Sequence, residues 1–213
     1  MKISNENKHL SCNTERNGGY LSEQHYLKLK SMLESCIELY TKPVILHYRL
    51  SFVGCESNLP DCTAYLQNRF NRLGLRVSYV KATENKEDGS YLHQHYFLCL
   101  DTKHPHLTEL EVLEEFHSCF WGLKNNGLVY SFMRNSKKVH GEIGTDWVDY
   151  PTAWFPLTPL TLAEALVWSS YAIKKRSKCV KGRQRVTWSL PRAIGQRSRK
   201  GKPPVQRSCL RRG

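Results

Sequence analysis

No run of apolar residues in this chain approaches the 18 or so that a membrane span requires, and residues 1–20 are too polar for a secretory leader. The expectation is a cytoplasmic protein with no membrane partner. The eight cysteines (Cys12, Cys36, Cys55, Cys62, Cys99, Cys119, Cys179 and Cys209) include no Cys-x-x-Cys pair, which argues against a zinc ribbon. Several fall at apolar positions of predicted elements, where a reduced thiol acts as a small hydrophobe. Acidic residues are missing from a whole region: Lys174 to Gly213 holds 15 lysines and arginines and not one Asp or Glu. The rest of the chain has the other 17 basic residues against all 19 acidic ones, a balance of −2, so the net charge of +13 belongs to the tail. A polybasic tail containing Gly, Pro and Ser suits a counterion-releasing contact with nucleic acid, or else is merely solvated.

With 213 residues the chain can bury a core without a disulfide or metal staple. The division expected is a flexible N-terminus over 1–20, a main domain over 21–177, and a basic, disordered tail over 178–213.

What the sequence does contain is centred on Tyr91 to Asp101, YLHQHYFLCLD. Leu92, Tyr96, Leu98 and Leu100 recur at the period of a β-strand. The same period puts His93 and His95 side by side on the other face, about 7 Å apart along the strand. Two imidazoles so placed are half of a metal site. The spacing alone is not diagnostic, since nine histidines in a chain of this length give about 0.4 such pairs by chance. A second pair, His104 and His106, flanks Pro105 before a helix start and reads as solvated loop histidines.

The neighbouring elements supply context. Periodicity predicts a helix over Leu21 to Tyr40, with Tyr26, Leu29, Leu33, Ile37 and Tyr40 on its buried stripe. Val44 to Phe52 alternates as a strand: Val44, Leu46, Tyr48, Leu50 and Phe52 face one way, His47, Arg49 and Ser51 the other. A helix over Thr63 to Leu73 closes at Gly74. A strand over Leu75 to Glu84 leads through Asp88-Gly89 into the histidine strand, a hairpin signal. Each strand is expected to show one apolar and one polar face, with Glu84, His93 and His95 on the polar ones. An antiparallel hairpin lets Glu84 approach His93 across the ladder. One carboxylate and two imidazoles leave positions open for water or phosphate and suit Mg²⁺ or Mn²⁺ better than closed structural zinc. The alternative is three polar residues on a wet sheet face.

Further on, a helix over Leu107 to Leu123 opens with a capping box, Thr108 and Glu111, and presents Leu110, Leu113, Phe116 and Phe120. His117 reads as a residue of its flank. A strand is expected over Leu128 to Met133, then strands and loops up to Pro159 that include Trp147, Tyr150, Trp154 and Phe155. The last helix, Thr161 to Lys175, has a second capping box (Thr161, Glu164) and a stripe of Leu162, Leu166, Ser169 and Ile173. Tyr171 lies opposite that stripe, with Lys174 and Lys175 one turn on. The fold class expected is α+β, a central antiparallel sheet flanked by helices.

Three segments in one order, KPVILHYRLSF, VKATENKEDGSYLHQHYFLCL and SSYAIKK, resemble the rolling-circle replication initiators of the HUH endonuclease superfamily. Within it they look most like prophage-encoded relatives of the filamentous-phage (inovirus) replication protein, the YagK/YfjJ type. The resemblance runs from about Pro43 to Lys178. It implies a ferredoxin-like sheet arrangement with His93, His95 and Glu84 as ligands of Mg²⁺ or Mn²⁺. It also implies Tyr171 as nucleophile with Lys174 beside it. The activity implied is metal-dependent nicking and joining of single-stranded DNA, leaving a 5′-phosphotyrosyl link and a free 3′-hydroxyl. Partners would be single-stranded or supercoiled origin DNA, with a host helicase or polymerase besides. Candidate DNA contacts are Arg49, Lys175, Arg176, Lys178, Lys181, Arg183 and Arg185. The chain departs from the family at Gln94, where a bulky apolar or aromatic residue is usual. A catalytically inactive prophage remnant that only binds DNA is the alternative, and an RNA- or ribosome-associated basic protein a third reading. Metal-binding histidines must be neutral, so activity is expected to fall below pH about 6.5.

Overall fold

In the computed structural model the described residues are 2–3, 21–52, 62–84, 93–135, 154–173 and 186–191. The strand β5 (His93–Asp101) is the central strand of the sheet. Its aromatic and leucine-rich sequence holds no Gly or Pro to interrupt a ladder. It pairs antiparallel with β3 (Pro43–Ser51) on one side and β4 (Val77–Glu84) on the other. The six-stranded sheet runs β6-β3-β5-β4-β8, with β6 being Ser131–Asn135 and β8 Val186–Ser189. A two-residue strand β7 (Phe155–Pro156) pairs with β3 at Val44 and Ile45. The fold is α+β, an antiparallel sheet flanked by four helices, as the periodicity predicts.

Helices α2 (Cys62–Arg72) and α3 (Glu109–Asn125) cover one face. There Leu46, Tyr48, Leu50, Tyr96, Leu98 and Leu100 meet Leu66, Phe70, Phe116 and Phe120 in one core. Each such buried side chain contributes about 1.5–3 kcal/mol of transfer free energy. Helix α2 ends at Gly74, whose φ of 67° is the left-handed conformation that favours glycine. Gly122 lets α3 approach α2, because a Cβ there would run into the Tyr65 hydroxyl.

The opposite face differs from its expected form. Polar residues cluster at its two ends, Glu84, His93 and His95 at one and Ser78 and Asp101 at the other; between them lies a second core of Ile45, Val80, Ala82, Phe97 and Cys99. Helix α1 (Glu23–Leu39), α4 (Leu162–Ser169) and the 3-10 turn Ser170–Ile173 cover it. The sheet is therefore sandwiched between helices, and eight of the nine β5 residues are buried. Cys36, Cys62, Cys99 and Cys119 are free thiols inside these cores, as expected of reduced cysteines.

Three local expectations change. Leu110 is 51% exposed, and Val112, Cys119 and Leu123 take the buried positions of α3 instead. The capping box of Thr108 and Glu111 forms, whereas Thr161 makes no side-chain cap. The Thr161 hydroxyl donates to the Pro156 carbonyl at 2.7 Å and accepts from the Thr158 N–H at 2.9 Å. Helix α4 is also shorter than the predicted 161–175. The Ser169 hydroxyl donates back to the Ala165 carbonyl (2.6 Å) and that of Ser170 to the Val167 carbonyl (2.8 Å), where the α-helix tightens into the 3-10 turn. Within the N-terminal stretch expected to be flexible, β1 (Lys2–Ile3) pairs with β2 (Leu21–Ser22). Residues 186–189, expected within the disordered tail over 178–213, instead form β8 on the edge of the sheet beside β4, because Val186 and Trp188 pack against the second core. The rest of that tail, 178–185 and 192–213, lies outside the described residues, as do the hairpin turn with Asp88-Gly89 and the aromatics Trp147 and Tyr150. No helix among the described residues is long and apolar enough to cross a membrane.

Candidate metal centre

The registers of β3, β5 and β4 set the site out as rows across the sheet. Ser51, His93 and Glu84 form one row; Arg49, His95 and Ala82 the next; His47, Phe97 and Val80 the third. Glu84 is thus directly opposite His93 and diagonal to His95, with only the Ala82 methyl beside that diagonal. Its Oε2 lies 3.5 Å from His93 Nε2 and 3.6 Å from His95 Nε2. The three side chains offer ligand atoms that all lie within 4.8 Å of one another. Donors about 2.1 Å from a common ion sit at most about 4.2 Å apart, so the group needs only a few tenths of an ångström of closure. Glu84 and His95 are buried, and the His93 side chain is 13% exposed, giving the cluster one solvent-facing side. One carboxylate and two imidazoles in this arrangement could hold a metal ion.

No family model matches this chain, and no curated protein or solved structure does either.

The strand face carries a third imidazole, His47, which the alternation of β3 places on this side but which sequence reasoning left without a role. His47 Nε2 lies 2.8 Å from His95 Nδ1, a hydrogen bond between two buried rings. The His47 ring stacks on Phe97 (centroids 4.0 Å apart, planes 9° apart) and stands perpendicular to the Trp168 ring, with centroids 6.0 Å apart. Burial holds this imidazole well below the usual histidine range; His95 and the Arg49 cation push the same way, and Glu84 opposes them. Arg49, expected as a DNA contact, is half-buried directly across from His95.

Gln94 points to the opposite face and is buried there among polar partners. Lys81 Nζ donates to Thr63 Oγ1 (2.7 Å), which lies 3.2 Å from the Tyr96 hydroxyl. Tyr96 donates to Gln94 Oε1 (3.2 Å), and Gln94 Nε2 donates to Thr83 Oγ1 (3.4 Å). This chain of donors satisfies a polar residue where an apolar one was expected, and ties β5 to β4 beneath the two histidines.

The remaining candidates are only partly described. The backbone of Tyr171 lies in the 3-10 turn that packs on β4 and β5, over the sheet face that bears Glu84, His93 and His95. Its side chain is outside the described residues, as are Lys174, Lys175, Arg176, Lys178, Lys181, Arg183 and Arg185. His104 and His106 form a loop contact of their own, the His106 N–H donating to His104 Nδ1 at 3.2 Å. His117 accepts or donates at Nδ1 with the Tyr48 hydroxyl, 2.9 Å away, as a helix-flank residue does.

Proposed function

We propose that this protein nicks and rejoins single-stranded DNA with the help of Mg²⁺ or Mn²⁺, using Tyr171 as the nucleophile. The observation that carries the reading is the convergence of Glu84, His93 and His95 from two paired strands. Their hard oxygen and borderline nitrogen donors suit such an ion, and the open side of His93 leaves room for a phosphate oxygen. When bound there, the ion would polarise the scissile phosphate and offset charge developing on its oxygens.

The protein's own groups do the rest. The Tyr171 oxygen attacks phosphorus; a Tyr–O–P bond forms as the P–O3′ bond breaks, and the phenolic proton ends on the departing 3′-oxygen. The 5′ end stays on the enzyme, and attack by a 3′-hydroxyl reverses the step, which is joining. A phenol with its usual pKa of about 10 is a poor nucleophile at neutral pH, so Lys174, three residues on in the sequence, has the role of favouring the phenolate. Arg49 adds a fixed positive charge next to His95, suited to the phosphodiester. The 15 cations from Lys174 onward supply sequence-independent affinity for the strand.

The test is a nicking assay on single-stranded DNA with Mn²⁺, comparing wild type with Tyr171→Phe. The reading expects a covalent protein–DNA adduct in the wild type that disappears in the variant. DNA binding with no adduct in either protein would contradict it and leave a non-catalytic DNA-binding protein.

A further inference from the structure

His95 has two ring nitrogens with different neighbours. Nε2 faces Glu84 at 3.6 Å, and Nδ1 faces His47 Nε2 at 2.8 Å. A metal at Nε2 needs the lone pair there, so the ring's hydrogen must sit on Nδ1. That hydrogen then points at His47, which must accept it at Nε2 and keep its own hydrogen on Nδ1. We infer that His47 is a positioning residue for the metal centre, fixing the tautomer and the orientation of the ligand His95. The inference rests on the metal reading proposed above and deepens it.

The surroundings of His47 suit this role. The ring is only 4% exposed, which shields the bond from competing water. Phe97 stacked on its face and Trp168 set perpendicular to it hold the ring plane, so the acceptor is in place before an ion arrives. Carboxylates and backbone carbonyls commonly fill this place beside ligand histidines, and their loss typically costs 10–100-fold in metal affinity. Here a neutral imidazole from the neighbouring strand takes the role.

Two measurements on the full chain test the inference. Calorimetric titration with Mn²⁺ alone compares wild type, His47→Leu and His47→Gln, with circular dichroism melts recorded for each metal-free protein. His47→Leu is expected to bind Mn²⁺ about 10–100-fold more weakly. His47→Gln keeps an acceptor oxygen at a similar reach and is expected to stay within about threefold of wild type, by the same second-shell reasoning. A merely structural role would move melting without separating the two variants in this way. Equal affinity of His47→Leu and wild type overturns the inference, and so does an equal loss in both variants.

The second measurement needs no variant and so does not depend on how the variants fold. Long-range nitrogen–proton NMR of the Mg²⁺-saturated wild type reads the tautomers directly. His95 with its hydrogen on Nδ1 supports the inference, and His95 with its hydrogen on Nε2 overturns it. Absence of any Mn²⁺ or Mg²⁺ uptake by the wild type overturns the metal reading itself, and the inference with it.

Discussion

Replacing Glu84 by glutamine keeps the size of the side chain and removes the one negative charge from the cluster of Glu84, His93 and His95. A ligand that binds only the folded protein stabilises it by RT ln(1 + [L]/Kd), about 2.7 kcal/mol at 100 times Kd. For a protein of 213 residues, each kcal/mol moves the melting temperature by about 2–4 °C. Wild type at such an Mn²⁺ concentration should therefore melt about 5–11 °C higher than without metal. Losing a direct ligand weakens binding by at least the 10–100-fold seen for outer-shell partners. At 100-fold the same Mn²⁺ concentration is only about one Kd, and the stabilisation falls to about 0.4 kcal/mol, or about 1–2 °C. Without metal, Glu84→Gln exchanges a buried carboxylate for an amide, so its melting temperature should equal or exceed that of wild type. Thermal melts followed by circular dichroism, with and without Mn²⁺, give all four values. A variant that retains the wild-type Mn²⁺ shift would refute the assignment of Glu84 as a ligand.

Other consequences concern the frame around the site. Asp101, at the far end of β5, has a side chain only 1% exposed. It accepts from the N–H groups of Thr41 (3.0 Å), Lys42 (2.9 Å) and Lys103 (3.2 Å) and from the Arg76 guanidinium (2.9 Å). Asp101→Asn should cost about 3–5 kcal/mol in a urea melt, as breaking a buried charge pair does, while leaving the Mn²⁺-induced melting shift intact; a loss below about 1 kcal/mol would count against this account of the frame. Burial pushes the pKa of the Tyr40 hydroxyl well above the usual tyrosine value, and its hydrogen bond to Ser78 (2.6 Å) opposes the shift. Above pH 10 the unfolded chain loses this proton while the folded protein keeps it, so stability falls by up to about 1.4 kcal/mol per pH unit. Tyr40→Phe should make the alkaline fall between pH 10 and 11 shallower, and equal slopes in wild type and variant would show that Tyr40 is not its source.

The parts of this molecule that local periodicity determines were legible in the sequence. Alternation in β3 and β5 put His47, Arg49, His93 and His95 on one face, and the short β4–β5 connection set Glu84 against His93. The second buried face was less apparent, because the eye follows the larger residues Leu46, Tyr48, Tyr96 and Leu98. Yet Ile45, Phe97 and Cys99 make VIL and YFLCL nearly continuous apolar runs, the mark of a strand covered on both sides. The pairing of His47 with His95 could not be read locally, since it depends on a β3–β5 register joining residues 48 positions apart. The early tightening of α4 had a visible signal in Ser169 and Ser170, whose hydroxyls compete for helix carbonyls. Beyond Ser169 the 3-10 turn has about three residues per turn, so an α-helical wheel no longer gives the direction of Tyr171.

The central claim is that one divalent cation sits between β4 and β5, held by Glu84, His93 and His95. Anomalous scattering from a crystal of the full chain grown with Mn²⁺ tests it most directly. The account predicts a single strong anomalous peak within bonding distance of the Glu84 carboxylate and both Nε2 atoms. A well-ordered crystal containing Mn²⁺ but with no peak there, or with its peak on other residues, would contradict it.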